Sequence, residues 1–238
     1  MRDSVTFASD PVRAYAQYLE DGCFIEPSVI APEVCDRLIE ASRSLPAARD
    51  GSYLPTMQAH KLDPAFFEVM SDAKIVSTIE HIVHGKAVGL QTQFFFTPPG
   101  RAGLGYHQDN YFVEAPTDAF VSAWVPLVDV TVENGGLYYF KGSHKHGKLP
   151  VRQVDASGKD KRQAVYEETV MDEDYPKVDV FVKRGDAVLI HGYVVHGSYQ
   201  NESAANRYVL LNTYLREGAP FRAGATARRE EIPLKRAS

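Results

Sequence analysis

The chain has 238 residues, a formal net charge of −5 and 44% hydrophobic residues. This length suits one large domain with a sizeable core, and the acidic balance argues against a nucleic-acid-binding protein, which needs a basic surface. Two cysteines, Cys23 and Cys35, are too few for a disulfide framework, so we expect reduced thiols. No apolar run is long enough to span a bilayer and no signal-peptide core is present, which favours a cytoplasmic protein without a membrane partner.

The N-terminal third is predicted to be helical. Helix starts are marked by a capping residue or a proline at four places, which are Asp10-Pro11, Pro32, Asp63-Pro64 and Ser71. Gly22 is expected to end the first helix, because glycine readily adopts the left-handed conformation that stops a helix. The fourth helix is predicted to run to Val83, with Gly85 as its terminator.

From Ala87 onward the pattern changes to short strands separated by glycine and proline. The predicted strands are 88–97, 120–130, 137–140, 178–182, 187–190, 194–196 and 207–215. Many short strands of this kind are typical of a β-sandwich or barrel. The charged stretch 141–174 interrupts them and is predicted to be a long insertion, either a lid over a site or a solvated loop.

Four residues near the strand ends carry the chemistry, namely His107, Asp109, His196 and Arg207. Two histidines and one carboxylate can hold one face of an Fe(II) ion and leave its other positions open. Side chains two residues apart on a strand point the same way, so His107 and Asp109 can reach one metal. The planar guanidinium of Arg207 suits bidentate binding of a carboxylate.

Other histidines compete with this assignment. By spacing alone, His191 is an alternative to His196 as the distant ligand, and an isolated His-x-Asp triplet is common by chance. His144 and His146 are predicted to be surface or lid residues, and the histidines of the helical part are not expected to be ligands. The surrounding sequence therefore has to decide.

That surrounding sequence resembles the phytanoyl-CoA dioxygenase (PhyH) family of non-haem Fe(II)- and 2-oxoglutarate-dependent oxygenases. The resemblance runs from about Gln91 to Tyr214, and the stretch 18–25 is similar to the opening of that family. Its motifs, in chain order, are Trp124-Val125-Pro126-Leu127, Glu133-Asn134-Gly135-Gly136-Leu137, Gly142-Ser143-His144, Gly185-Asp186, and His196-Gly197-Ser198 followed by Asn201, Ser203 and Arg207.

The resemblance implies a mainly β protein with flanking α-helices. Its core would be a double-stranded β-helix (a jelly-roll, cupin-like fold) with N-terminal helices packed on one face. We expect one domain over 1–238, with a helical support in 1–86, the β-helix core in 87–217 and the lid insertion within it. His107, Asp109 and His196 would bind Fe(II), and His196 is preferred to His191 because Gly197-Ser198 and Arg207 follow it.

The same resemblance implies the activity. We expect hydroxylation of an unactivated C–H bond of a small polar metabolite or natural product, using O2 and 2-oxoglutarate and releasing succinate and CO2. The alternatives are a cupin-like metal enzyme that does not use 2-oxoglutarate and a non-catalytic binding module on the same fold. The protein is expected to act as a monomer or a homodimer.

Further residues are candidates for binding the co-substrate or the substrate. Arg207 and Ser198 are implied to bind the distal carboxylate of 2-oxoglutarate. Gln91 and Gln93 share one face of their strand and are candidates for the co-substrate, as is Trp124, although an outward polar face and a core tryptophan explain them equally. Substrate-side candidates are Tyr106, Asn110, Phe112, Asn134 and Tyr193, of which Asn134 is also explained by a tight turn.

Overall fold

The computed structural model describes residues 5–154 and 167–235. Within them, the helices are α1 (Pro11–Asp21), α2 (Pro32–Ser42), α3 (Pro46–Arg49), α4 (Pro64–Met70) and α5 (Ala73–Val83). Asp10 and Asp63 accept hydrogen bonds from the backbone N–H of Arg13 and Ala65 (3.1 and 2.9 Å), as their capping roles predicted. None of the helices among the described residues is long and apolar enough to cross a membrane.

Two details of the helical part differ from the prediction. Helix α5 begins after Asp72, whose carboxylate caps it. It ends at Val83 as predicted, but the residue that stops it is His84, in the left-handed conformation (φ 50°), and not Gly85. The short helix α3 was not predicted, because it contains a single turn and no periodic apolar pattern.

The strands are β1 (Cys23–Glu26), β2 (Thr56–Met57), β3 (Ala87–Thr97), β4 (Phe120–Pro126), β5 (Leu137–Phe140), β6 (Val151–Gln153), β7 (Glu167–Thr169), β8 (Lys177–Asp179), β9 (Ala187–His191), β10 (His196–Ser198) and β11 (Arg207–Arg216). A six-stranded antiparallel sheet has the order β1-β9-β4-β11-β3-β2. A three-stranded antiparallel sheet has the order β10-β5-β8, and β6 pairs with β7.

The helices pack on one face of the six-stranded sheet. Phe94, Leu210 and Tyr214 point to this face and join Phe66 and Ile79 of the helices in the largest buried cluster. Each cluster member removes apolar surface from water, which is the main force that holds the layers together. The opposite face of the sheet is therefore free to form a cavity with the smaller sheet. This is the mainly β, jelly-roll arrangement with helices on one face that the sequence predicted.

The strand limits show where the sequence pattern misled. The predicted strand 120–130 ends at Pro126, which lacks the N–H group needed to continue the ladder, and Val130 forms only an isolated bridge with Val182. The edge strands β1 and β2 were missed because they are short. The predicted insertion 141–174 holds the β6–β7 pair and a 3-10 helix at Ser143–His146, while its central part, 155–166, lies outside the described residues.

Gly22 joins the helical layer to the sheet. It ends α1 in the left-handed conformation (φ 80°), its N–H donates to the Tyr18 carbonyl (2.8 Å), and its carbonyl accepts from the His191 N–H (2.9 Å). A Cβ at this position would lie 2.4 Å from Nδ1 of His144 and 2.9 Å from Cγ2 of Val194. Only glycine meets both constraints.

We expect Gly22→Ala to lower the free energy of unfolding by about 2–4 kcal/mol, because an unfavourable left-handed conformation and an overpacked interior add together. Gly51→Ala is the matched control: Gly51 has φ 71°, but a Cβ added there would meet no atom within 4 Å. This control is expected to lose only about 1 kcal/mol. Urea unfolding measures both variants, and equal losses would contradict the packing argument.

Candidate metal centre and adjoining cavity

Two residues distant in the chain meet through their backbones at the centre of the site. The N–H of His107 donates to the carbonyl of His196 (3.0 Å), and the N–H of His196 donates to the carbonyl of His107 (3.1 Å). This isolated antiparallel bridge extends the pairing of β10. It sets the two imidazole rings side by side, with centroids 4.2 Å apart.

Each imidazole is oriented by a backbone carbonyl. Nδ1 of His107 lies 2.8 Å from the carbonyl of Gly105, and Nδ1 of His196 lies 3.1 Å from the carbonyl of Val194. A carbonyl can only accept, so each Nδ1 carries the proton and each Nε2 presents its lone pair. This hydrogen-bonding pattern is typical of metal-bound histidines.

Asp109 completes a cluster of three possible ligands. Its Oδ1 lies 3.6 Å from Nε2 of His107 and 3.8 Å from Nε2 of His196, and one ligand atom from each residue lies within 4.8 Å of the others. Its Oδ2 accepts a hydrogen bond from the Ser122 hydroxyl (2.6 Å), which fixes the carboxylate. Three atoms so arranged define one face of a coordination sphere.

The local backbone differs from the strand that the His-x-Asp spacing suggested. His107 belongs to an isolated bridge, and Asp109 begins a 3-10 helix that runs to Tyr111. The chain leaves the sheet between the two residues. The side chains converge because the backbone turns, so strand alternation was the wrong reason for a convergence that the structure does contain.

Electrostatics favours the ligand-competent protonation states. Burial, followed by the neighbouring His196, lowers the pKa of His107 to about 4. Burial alone would raise the pKa of Asp109, but the two imidazoles, the Ser122 hydrogen bond and Arg229 outweigh it, so the pKa of Asp109 lies below its ordinary value. Around neutral pH the cluster therefore offers a neutral His107 and an ionised carboxylate.

A cavity of about 450 Å³ opens beside the cluster. It is lined by all five residues that the sequence suggested for the co-substrate, which are Gln91, Gln93, Trp124, Ser198 and Arg207. Gln93 and Trp124 both pair with Leu211 of β11, so three neighbouring strands direct these side chains to the same face. Gln91 and Gln93 alternate with Thr92, which faces the helices and accepts a hydrogen bond from the His60 N–H (3.0 Å).

Arg207 stands out in this cavity because it is a buried cation without an ion-pair partner among the described residues. It is 5% exposed, its Nε has no hydrogen-bond partner, and no carboxylate of a described residue pairs with it. Its guanidinium carbon lies 5.5 Å from the centre of the Trp124 ring. Burial lowers the pKa of Arg207 to about 10, so the side chain stays charged at neutral pH. An unpaired buried charge is costly unless a ligand neutralises it.

Of the five substrate-side candidates, only Phe112 lines this cavity. Asn110 uses its amide to hold both backbone groups of Ala115, and Asn134 closes its own turn by bonding Thr131 and Asp129. Tyr106 packs among other aromatic rings in a separate buried cluster.

The ring of Tyr193 approaches that of His191, and neither residue lines the cavity. The structure therefore does not bring these four candidates to the cavity wall.

Other cavity residues gave no clear signal in the sequence. Ser122, which bonds Asp109, could have been found, since it lies on the same face of β4 as the cavity residues Phe120 and Trp124. Leu54 comes from the irregular stretch before β2, Met57 from the two-residue strand β2, and Arg229 from the C-terminal stretch after β11. No periodic pattern connects these three residues to the metal motif.

The remaining buried histidines form a separate pair. His191 does not belong to the metal cluster: its Nδ1 accepts from the N–H of Tyr193 (3.1 Å), and its ring lies 4.7 Å from that of His144. The prediction of a surface position for His144 is wrong, because this residue is 6% exposed and donates from Nε2 to the Leu19 carbonyl (2.9 Å). The pair packs beneath α1.

The fold is a jelly-roll in which two histidines and an aspartate face one point and an arginine lies in the adjoining cavity. These features place the protein in the class of cupin-like proteins with a candidate facial metal site. The sequence profile of the Phytanoyl-CoA dioxygenase (PhyH) family matches residues 18–209. This match covers most of the chain, so the chain belongs to the phytanoyl-CoA dioxygenase family.

Curated relatives support the assignment. Phytanoyl-CoA dioxygenase 1 of Oryza sativa subsp. japonica is 31% identical over 160 residues, which cover 63% of this chain and 53% of the relative. Phytanoyl-CoA dioxygenase domain-containing protein 1 of Danio rerio is 32% identical over 158 residues, covering 63% and 52%. The chain thus spans about half the length of the curated relatives it matches.

Solved structures share the fold. The non-heme alpha ketoglutarate dependent epimerase SnoN from nogalamycin biosynthesis is 23% identical, with a TM-score of 0.72 and 94% of each chain covered. The carbocyclase SnoK from the same biosynthesis is 20% identical, with a TM-score of 0.73 and coverage of 98% of this chain and 96% of SnoK. SnoN has also been solved in complex with Fe3+, alpha ketoglutarate and nogalamycin RO.

The unpaired charge of Arg207 makes a prediction about stability. We expect Arg207→Met to raise the free energy of unfolding of the ligand-free protein by about 1–3 kcal/mol, because an apolar side chain of similar length replaces an uncompensated buried cation. Arg216→Met is the control on the same strand: Arg216 pairs with Asp118 (2.8 Å), and its loss is expected to cost up to about 1 kcal/mol. Denaturant titration without ligands measures both, and a destabilised Arg207→Met would contradict the argument.

The buried histidine pair makes a prediction about pH. Burial lowers the pKa of His191 to about 3, so His191 stays neutral in the folded state above that pH, whereas in the unfolded chain it protonates near pH 6.5. Burial also lowers the pKa of His144. The unfolded state then binds more protons, and stability falls as pH drops below about 6.5, by up to ~1.4 kcal/mol per pH unit from His191. In urea titrations between about pH 6.5 and 4.5, His191→Gln should reduce the slope of the unfolding free energy against pH by the amount that corresponds to one proton. An unchanged slope would mean that His191 is protonated in the folded protein.

Proposed function

We propose that this protein is an Fe(II)- and 2-oxoglutarate-dependent oxygenase. The observation that carries the proposal is the presence, in one cavity, of three convergent ligand atoms and a buried arginine that no carboxylate pairs with in the part of the chain that the structure describes. A metal site alone would need no such arginine. A bound keto-diacid would use both features, with its keto acid end on the metal and its distal carboxylate on the guanidinium.

His107, Asp109 and His196 are the proposed iron ligands. The donor set fits Fe(II): two neutral imidazole nitrogens and one carboxylate oxygen occupy one face, and the opposite positions stay open for small ligands. The carbonyls of Gly105 and Val194 hold the imidazole tautomers, and Ser122 leaves Oδ1 of Asp109 free for the metal. The geometry thus needs little rearrangement to bind an ion.

Arg207, Ser198 and Trp124 are the proposed co-substrate residues. Arg207 would bind the distal carboxylate through its planar fork. Ser198 lines the same part of the cavity, and its hydroxyl already accepts a hydrogen bond from the Leu104 N–H (2.9 Å), which leaves its proton for the carboxylate. The Trp124 ring faces the guanidinium, whose carbon lies 5.5 Å from the ring centre. Gln93 is a further polar group on this wall.

The proposed reaction is hydroxylation of a C–H bond of a small metabolite or natural product. Iron, 2-oxoglutarate and O2 together supply an oxidant strong enough for this step, with succinate and CO2 as co-products. The chain retains the carboxylate ligand Asp109, and the apolar part of the cavity would hold the reacting carbon away from water. Because structural neighbours are named as an epimerase and a carbocyclase, product analysis has to separate hydroxylation from these outcomes.

The proposal predicts a spectroscopic signature. Under anaerobic conditions, Fe(II) and 2-oxoglutarate added to the protein should give a weak visible charge-transfer band. His107→Ala and His196→Ala are expected to lower iron affinity by at least about 100-fold, since each removes a direct ligand. Arg207→Gln should retain iron but weaken 2-oxoglutarate binding by about 100-fold, as expected for the loss of one partner of a buried charge pair.

The control is His146→Gln, which changes a half-exposed histidine outside the cluster and should leave the band intact. A screen of small metabolites for stimulated succinate release, followed by mass spectrometry of the products, identifies the reaction. Metal binding without the band, and without succinate from any compound, would favour a metal enzyme that does not use 2-oxoglutarate.

A further inference from the structure

A second arginine, Arg229, reaches the same cavity from the C-terminal stretch. It lies beyond the last residue of the family match, so the shared pattern does not account for it. Its Nε donates to Oε1 of Gln91 (3.1 Å), and its Nη1 donates to the carbonyls of Phe112 (3.1 Å) and Arg222 (3.4 Å). The guanidinium is thereby held at the edge of the cavity, on the wall that Gln91 and Phe112 form.

The backbone around Arg229 is anchored on both sides. Ile232 exchanges two hydrogen bonds with Gly89 (2.9 and 2.8 Å) and its side chain joins the main core. On the other side, the amide of Gln58 donates to the carbonyls of Ala227 (2.6 Å) and Arg228 (3.1 Å). The position of the guanidinium is therefore set before any ligand binds, which lowers the entropic cost of binding one.

The charge of Arg229 is not neutralised within the described residues. No carboxylate there forms an ion pair with it, and its Nη2 donates to no described residue. The carboxylate that acts on it most is Asp109, which raises its pKa against the lowering effect of burial. A metal ion on Asp109 would remove even this compensation.

The charge balance of the loaded site points the same way, and this step rests on the proposed function. A ferrous ion and the Asp109 carboxylate together carry one positive charge, and Arg207 and Arg229 each add another. A dianionic co-substrate offsets two of these. One positive charge remains in a partly buried cavity, where it favours an anionic ligand.

We propose that Arg229 binds an anionic group, a carboxylate or a phosphate, of the primary substrate. Nη2 provides the direct contact, while Gln91 holds the other edge of the guanidinium. Apolar side chains that line the same cavity contact the body of the substrate, and they are Leu54, Met57, Phe112, Val113 and Phe120. The substrate class is therefore a small organic acid or phosphate ester with an apolar portion.

The test compares acids with their neutral amides on the Fe(II)- and 2-oxoglutarate-loaded protein under anaerobic conditions. The probes are benzoate and 3-phenylpropionate against benzamide and 3-phenylpropanamide, followed by calorimetry and by perturbation of the visible band. The wild type is expected to bind the acids at least about tenfold more tightly than the amides. Arg229→Gln should lose this preference, and Arg229→Lys, which keeps the charge, should retain part of it.

Arg228→Gln is the matched control, because it removes the same charge from the neighbouring, exposed side chain and should behave as the wild type. The proposal is overturned if the wild type shows no preference for acids, or if Arg229→Gln keeps it, which would make Arg229 a clamp for the C-terminal stretch. It is also overturned if Arg229→Gln loses 2-oxoglutarate affinity as Arg207→Gln does.

A failure of the proposed function is separately visible. If the wild type gives no band with Fe(II) and 2-oxoglutarate, the same titrations are made on metal-free Arg207→Met protein, in which Arg229 is the remaining arginine on the cavity wall among the described residues. A preference for acids that disappears in the Arg207→Met/Arg229→Gln double variant would support the anion site without iron chemistry, and its absence would overturn it.

Discussion

The two reciprocal backbone hydrogen bonds between His107 and His196 are the constraint on which the site depends. They hold the loop that contains His107 against strand β10, which contains His196, at the spacing of a β-bridge. The two imidazole side chains are thereby brought together. The loop can approach this closely because it contains Gly103, where a Cβ would lie 1.8 Å from the carbonyl oxygen of Ser198. Strand β11 then adds Arg207 to the cavity formed beside the bridge.

The ligand-free cavity carries more positive than negative charge. Asp109 is the acidic side chain on its described wall, whereas Arg207 and Arg229 both reach it. The folded state tolerates this imbalance because the helices on the opposite face of the sheet bury a large apolar cluster. The apolar cluster on one face of the six-stranded sheet thus stabilises the fold, and the charged cavity on the other face destabilises it, which is a common arrangement at binding sites.

Features with a local cause were predictable from the sequence. Capping by Asp10 and the helix stop at Gly22 follow from side-chain and backbone chemistry within a few residues, and they were found. Strand alternation grouped Gln91 with Gln93 for the same reason. The ligand set was recognisable only through its surrounding motifs, because a strand argument does not describe Asp109, which sits in a 3-10 helix.

Features that need long-range packing were not predictable. Arg229 reaches the cavity because Ile232 pairs with Gly89, and no local pattern announces that pairing. The burial of His144 has the same origin, since it depends on contact with His191 and α1. Periodicity also fails to predict side chains that enter a site from irregular chain, such as Leu54, for the same reason.

Trp124 is the single tryptophan of the chain, and it lies on the wall of the cavity with the Arg207 guanidinium 5.5 Å from its ring. Its indole is therefore the dominant intrinsic fluorophore and sits where a diacid would neutralise the adjacent cation. Emission from the unlabelled protein consequently reports the filling of the part of the cavity beside Arg207.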